Sequence, residues 1–346
     1  MNYKLHLSEG KVGEHMIRVL LIGLGTMGRT HLSCYAKMEN VKMMGVIDTN
    51  KIIRNDMSEK YQVEGFETLE EAMEVIGNVD VIDVALPTYL HEEYVKKAAN
   101  YVKNIICEKP ITLSIDAAKE MIEYCDRNGV NLYLGHVVRF FNEYKKLKEA
   151  VEKGAIGKVG VVRTFRGGPF PKTPLGWYNE QKKSGGVILD LIIHDFDFLR
   201  WTFGEVERVF AKGVKDMTGL GYDYALVTLR FKSGVIAHVE GSWAHESFKM
   251  SMEISGEDGI LEFDSSKNKS IHSFVRADDL NEGVKGVAVP ESPLKNSPYF
   301  VELEHFIDCI QNKKEPIITP FDALKAVEIS LAARKSIRTG QPVFIN

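Results

Sequence analysis

The chain has 346 residues, too long for one ordinary core at about 150 residues per domain, so two domains are expected. It is 44% hydrophobic and 27% charged, with 44 basic and 48 acidic residues giving a formal charge of −4, the balance of a folded globular protein. The charges are mixed along the chain, with no block long enough for a nucleic-acid arm or an anionic-lipid patch, which favours a small-molecule partner over nucleic acid or membrane.

Residues 1–15 are polar, lack the apolar stretch of a signal peptide, and read as an extension before Met16. No run approaches the ~20 apolar residues of a membrane helix, so a cytoplasmic protein is expected. Ile17–Ile22, apolar apart from Arg18, suits a central parallel strand. A glycine loop follows, then a helix to about Lys37. Val41–Ile47 is the second strand, Val79–Leu86 the third, closed by Pro87, and Asn104–Cys107 the fourth, leading into Glu108-Lys109-Pro110. Helical segments separate them, among them Tyr89–Asn100 and one opening at Ser114 as N-cap. Strand alternating with helix means βαβ units, hence an α/β domain over residues 16–136 with a doubly wound parallel sheet.

Residues 137–346 read differently. A helix near Asn142–Lys153 and a strand, Lys158–Phe165, lead into a Gly/Pro-rich loop, Arg166–Lys183, with Pro169, Pro171 and Pro174. One long apolar helix is predicted from Gly186 to Phe203. Strands then follow in succession: Val206–Val214, Tyr224–Phe231, Val235–Trp243, Met250–Ser255 and Gly259–Phe263, with hairpin turns at Ser233-Gly234 and Asp258-Gly259. This is an α+β layout. Residues 265–297 are polar and irregular, and helices near Tyr299–Asn312 and Pro320–Thr339 close the chain. The four cysteines, Cys34, Cys107, Cys125 and Cys309, form no C-x-x-C pair and no Cys/His cluster. That argues for a reducing compartment and against a structural zinc site.

The glycine loop is Gly23-Leu24-Gly25-Thr26-Met27-Gly28. Its glycines allow a sharp turn, close approach of backbone to a pyrophosphate, and tight packing of helix on strand. The helix behind it turns its free N–H groups towards the phosphates. Asp48 stands twenty residues after Gly28, at the end of the second strand, where a carboxylate hydrogen-bonds the adenosine ribose. It repels a 2′-phosphate, so NAD is favoured over NADP, although Lys51 and Arg54 lie nearby.

Along the Gly186–Phe203 helix, Asp190, His194 and Asp197 fall on one face at i, i+4 and i+7. Buried charge is costly unless paired or used, and a carboxylate one turn from a histidine can orient it as a general base. A core histidine with Asp197 paired to Arg200 is the other reading of the same residues. Lys109 follows a parallel strand and should face the crevice at the strands' carboxyl ends. Trp177, Tyr178, Trp243 and His245 are candidates for a substrate wall, because flat aromatic faces suit the C–H surface of a sugar ring. Arg166, Lys172, Lys182 and Lys183 could pair with a carboxylate on that ring.

Together, the glycine loop, Glu108-Lys109-Pro110, Gly135-His136-Val137-Val138-Arg139-Phe140 and Gly185-Gly186-x₃-Asp190-x₃-His194 resemble the glucose–fructose oxidoreductase/inositol dehydrogenase (Gfo/Idh/MocA) family. The resemblance runs from about Met16 to the C-terminus. It implies a Rossmann domain followed by a large open, mostly antiparallel sheet whose outer face commonly forms the interface of a homodimer or homotetramer. It implies catalysis by Lys109, Asp190 and His194 on a sugar, polyol or cyclitol hydroxyl, with no metal. Beside the dinucleotide it places Pro87, Thr88 and His91, together with Glu108 and Lys109. Arg139 matches a position near substrate or nicotinamide, while the Asn or Arg often found before it is Val138 here. The family's Lys–Pro bond is often cis. NAD-dependent glycosidases and non-catalytic dinucleotide sensors also occur among such proteins.

Overall fold

Apolar residues fill the strand β1 (Ile17–Ile22) of the computed structural model, and its one charged residue, Arg18, turns to Asp80, 2.8 Å away. The structure describes residues 16–171, 176–215, 222–267, 272–275 and 297–345. The expected extension 1–15, Lys172, Pro174 and most of the 265–297 stretch lie outside them. After β1 come α1 (Thr26–Tyr35), β2 (Val41–Ile47), α2 (Lys51–Tyr61), β3 (Gly65–Phe66), α3 (Leu69–Ile76), β4 (Val81–Val84), α4 (His91–Ala98), β5 (Asn104–Glu108), α5 (Ile115–Arg127) and β6 (Asn131–Gly135). The strands form one parallel sheet in the order β3-β2-β1-β4-β5-β6. Its order reverses between β1 and β4, the switch point where open α/β sheets bind ligands. Caps set the helix starts: Asn50 accepts from the N–H groups of Ile52 and Ile53, and Ser114 from that of Ala117.

The second unit opens with α6 (Asn142–Glu152) and β7 (Val159–Pro169), then α7 (Gln181–Ser184), α8 (Gly186–Asp190) and α9 (Ile193–Phe203). Next come β8 (Val206–Lys215), β9 (Tyr222–Phe231), β10 (Ile236–Ser242), β11 (Ala244–Gly256), β12 (Gly259–Asp264) and β13 (His272–Val275). Two helices, α10 (Pro298–Asn312) and α11 (Pro320–Thr339), precede a final strand, β14 (Val343–Phe344). The eight-stranded sheet runs β13-β12-β11-β7-β10-β9-β8-β14, antiparallel except for the β7–β10 pair. Ala225, Val227, Leu229 and Phe231 of β9 alternate inwards and meet Val239 of β10, Phe196 and Leu199 of α9 and Ala333 of α11 in one core.

Two expectations change. The loop Arg166–Lys183 is partly regular, since Arg166–Pro169 extends β7 and residues 177–179 form a 3₁₀ turn before α7. The single helix Gly186–Phe203 is two helices broken at Leu191 and Ile192, whose ψ angles of −60° and 1° interrupt the regular turn. Gly241 explains the break: a Cβ there would collide with Ile192 Cγ2. The isoleucine fills the space a side chain on β10 would take.

The chain divides by contact into residues 1–136 with 296–324, and residues 137–295 with 325–346. A cut at 136/137 alone therefore leaves α10 on the wrong side. It lies against α1, and its Phe306 ring sits 5.5 Å from Tyr133 of β6.

Candidate functional site

In the first unit, every candidate dinucleotide residue follows a parallel strand at its carboxyl end. Gly23 has φ +96°, a conformation side chains resist, and donates its N–H to Ile47 O at 2.8 Å. A Cβ on Gly23 would come within 2.5 Å of Ala85 O, and one on Gly28 would overlap Gly23 O. Gly25 instead has nothing within 4 Å of where its Cβ would be. It is the N-cap of α1 and offers no side-chain cap, so the open space lies at the positive end of a ten-residue helix. That combination of open glycine and uncapped helix end fits a pyrophosphate.

Asp48 braces this loop. One carboxylate oxygen accepts the Leu24 N–H at 2.8 Å and the other the Asn50 N–H at 2.7 Å. Arg54, a candidate for a 2′-phosphate, instead donates to Asp48 O at 2.5 Å and pairs with Glu67 at 3.5 Å. Arg54 is therefore already engaged with backbone and carboxylate.

After β4, Thr88 is buried in a 3₁₀ turn. His91 is fully buried, with Nδ1 2.8 Å from Pro110 O and Nε2 2.8 Å from Leu86 O. Burial pushes its imidazole below the usual value, against the pull of those two carbonyls. Its ring lies between two backbone carbonyls and, when neutral, donates to one of them; Lys109-Pro110, which is cis, carries one of the two.

Three residues that the sequence did not single out, His31, Asp83 and Tyr35, gather with Glu108. His31 Nδ1 lies 2.8 Å from Asp83 Oδ2, its Nε2 lies 3.1 Å from Glu108 Oε1, and Tyr35 donates to Asp83 Oδ2 at 2.8 Å. Burial alone would lower His31, but the charges and hydrogen bonds of Asp83 and Glu108 outweigh it and hold the imidazole well above its usual value. Burial would likewise raise Glu108, yet the His31 hydrogen bond and charge, helped by Lys109, hold its carboxyl low. The signal in the sequence was Asp83, a carboxylate inside the buried strand Val81–Val84.

In the second unit, Asp190 ends α8 and accepts from Tyr178 Oη at 3.2 Å. The Tyr178 ring stacks on Trp177 at 4.0 Å and meets Trp243 edge-on at 6.0 Å, with Phe170 5.2 Å beyond. Tyr178, the partner of Asp190, thus stands between two more of the four aromatic candidates, Trp177 and Trp243. The fourth, His245, packs on Phe165 at 5.1 Å. His194, half-buried, stands in the first turn of α9. Asp197 pairs with Arg139, whose guanidinium grips it through two bonds of 2.8 and 2.6 Å. Arg200 turns to Glu205. Arg166 is also buried, bound to Asp195 at 2.6 Å and to Tyr144 at 2.9 Å, so it is not placed to greet a substrate carboxylate. Lys183 pairs with Glu180.

Residues 17–136 match the model of an oxidoreductase family with an NAD-binding Rossmann fold, and residues 144–262 that of the GFO/IDH/MocA C-terminal domain. The chain is 32% identical to a myo-inositol 2-dehydrogenase from Thermotoga maritima, covering 94% of this chain and 98% of that one. It is 29% identical to a scyllo-inositol 2-dehydrogenase (NAD(+)) from Bacillus subtilis, over 96% and 97% of the two chains. Among solved structures, a probable dehydrogenase from Thermotoga maritima superposes with a TM-score of 0.80 at 31% identity, over 95% and 98%.

Proposed function

Since the chain belongs to the GFO/IDH/MocA family of NAD-binding oxidoreductases, we propose that it oxidises a secondary alcohol of a sugar, polyol or cyclitol, an inositol-like ring being the favoured class. Bound NAD supplies the hydride acceptor. In this reading His194 takes the hydroxyl proton as general base and Asp190 orients it. Lys109 hydrogen-bonds the substrate oxygen and stabilises negative charge developing there.

The observation that carries the substrate class is the aromatic surface around Asp190, where Tyr178 donates to the carboxylate and stacks on Trp177. Such faces suit the C–H side of a saturated ring while the carboxylate reads its hydroxyls. The test is a panel of inositols, aldoses and uronates against 2-hydroxy acids and steroid alcohols, with NAD⁺ and cofactor absorbance as readout. Reduction of NAD⁺ by the polyhydroxylated rings is expected. Activity confined to the hydroxy acids or steroids, or a sugar consumed with no change in absorbance, overturns the reading.

The same reading includes a homodimer or homotetramer formed through the outward face of the second sheet, where Leu226 and Val214 are exposed at 40% and 62%. It places the protein in the cytoplasm, in keeping with four cysteines that are all free thiols. No helix among the described residues is long and apolar enough to cross a membrane.

A further inference from the structure

The buried charges around His31 have no part in the chemistry described above, and burying them is expensive. Asp83 is fully buried in the middle of β4, His31 is 1% exposed and Glu108 5%. An uncompensated carboxylate in such a place costs several kcal/mol, so the cluster needs an internal balance. An ionised carboxylate only accepts hydrogen bonds. With Asp83 at one ring nitrogen and Glu108 at the other, both nitrogens must carry protons. The group is then an imidazolium bridging two anions.

The bridge joins three elements that build the dinucleotide crevice of the first unit. His31 sits on α1, the helix opened by the glycine loop, Asp83 on β4 and Glu108 at the end of β5. From Glu108 the chain of bonds continues: its second oxygen accepts the Lys109 N–H at 3.1 Å. The seat for this carboxylate is a glycine, since a Cβ on Gly135, paired with Glu108 across β5 and β6, would press on it at 3.3 Å. His91 holds the next residue through Pro110 O.

We propose that His31 is a positioning residue for the reaction, its imidazole clamped between Asp83 and Glu108 so that Glu108-Lys109-Pro110 is held in register with the dinucleotide-binding helix α1. The proposal rests on the reading of Lys109 as the group that acts on the substrate oxygen. Around the imidazole stand Asp83 from β4, Glu108 from β5, and Cys34 and Tyr35 on its own helix, and Glu302 of α10 acts on those last two. Around Glu108 stand His31, His91 and Lys109.

The experiment compares His31→Gln, Glu108→Gln and Lys109→Ala in the full chain, using NAD⁺ and the best substrate of the panel. His31→Gln should lower kcat by roughly 10²-fold, the cost of misplacing a reacting group by about 1 Å, with the Kd for NAD⁺ little changed. The loss should fall on kcat and leave KM nearly unchanged, because the reacting lysine is misplaced while the substrate still binds. Glu108→Gln should show the same split. A residue that only fills space would lower stability without separating kcat from KM. An unchanged kcat in either variant overturns the proposal.

Lys109→Ala separates the two readings. If it keeps turnover, the role given to Lys109 is wrong. If it loses turnover while His31→Gln keeps it, only the role of His31 is wrong. Should His31→Gln fail to fold, Glu108→Gln still reads the chain of bonds from its other end. Nitrogen NMR of histidine in the unmodified protein then adds a direct check. One imidazolium should persist after the other histidines have lost their proton on passing the usual value of about 6.5, and its loss together with theirs overturns the clamp.

Discussion

Lys109 and His194 differ from their neighbours in what their loss should do. Each replaced by alanine should cut kcat by roughly 10²–10⁴-fold, the usual worth of a positioned acid–base group, while the Kd for NAD⁺ measured by titration changes little. Near-normal turnover in either variant removes that residue from the mechanism. Asp48→Ala should weaken the preference for NAD over NADP, because on the proposed reading a carboxylate at the ribose no longer repels a 2′-phosphate. Dissociation constants for both cofactors check it, and tighter NADP binding by the unmodified protein would count against the assignment. His31 adds a pH dependence with a definite sign. Its folded value is raised well above the unfolded one, so its contribution to stability is complete below about pH 6.5. That contribution drains away as pH climbs through the folded value. Denaturant midpoints should fall more steeply into the alkaline range for the unmodified protein than for His31→Gln, and parallel curves would refute this. The placement of Lys109, Asp48 and the glycine loop at strand ends was legible in the sequence because each is a local signal next to an apolar run. The His31–Asp83 pair was not, because the two residues lie 52 positions apart and only packing brings them together. The Arg139–Asp197 pair was not legible for the same reason: the two residues are 58 positions apart.

At the scale of elements, the central strands and most helices of both units follow from periodicity and caps, and the Ser233-Gly234 hairpin from its turn residues, with Gly234 at φ +95°. The two-residue strand β3 was too short for any pattern to register. The broken helix shows a different limit. From Gly186 to Phe203 the residues are apolar almost all round, so hydrophobicity alone supports one continuous helix. What divides it is Gly241, some fifty residues later, which admits Ile192 against the sheet. Gly241→Ala should therefore overpack the joint and destabilise the protein by about 1–3 kcal/mol. Adding Ile192→Ala should restore part of that loss, because it removes the colliding methyl group. Urea denaturation of the two single variants and the double variant checks it. Strictly additive losses would mean that the two residues do not compete for the same space.

For the whole molecule, strand alternating with helix foretold the α/β unit, hairpin turns an antiparallel or mixed sheet after it, and the family resemblance that this sheet is large and mostly antiparallel. The outward face of the second sheet carries the proposed self-association. Leu226→Lys combined with Val214→Glu should lower the sedimenting mass in analytical ultracentrifugation, and an unchanged mass would move the interface elsewhere. The return of residues 296–324 to the first unit was not legible, because an amphipathic helix does not state which core it will join. That return has a consequence for synthesis on the ribosome. The strands of the parallel sheet are all translated by residue 135, yet α10, which lies against α1, begins only at Pro298. At about 5–20 residues per second, the nascent first unit waits roughly ten to thirty seconds with that side of α1 uncovered. Over that interval the face of α1 that α10 will cover stays open, so the first unit completes its packing only after Pro298 has been made.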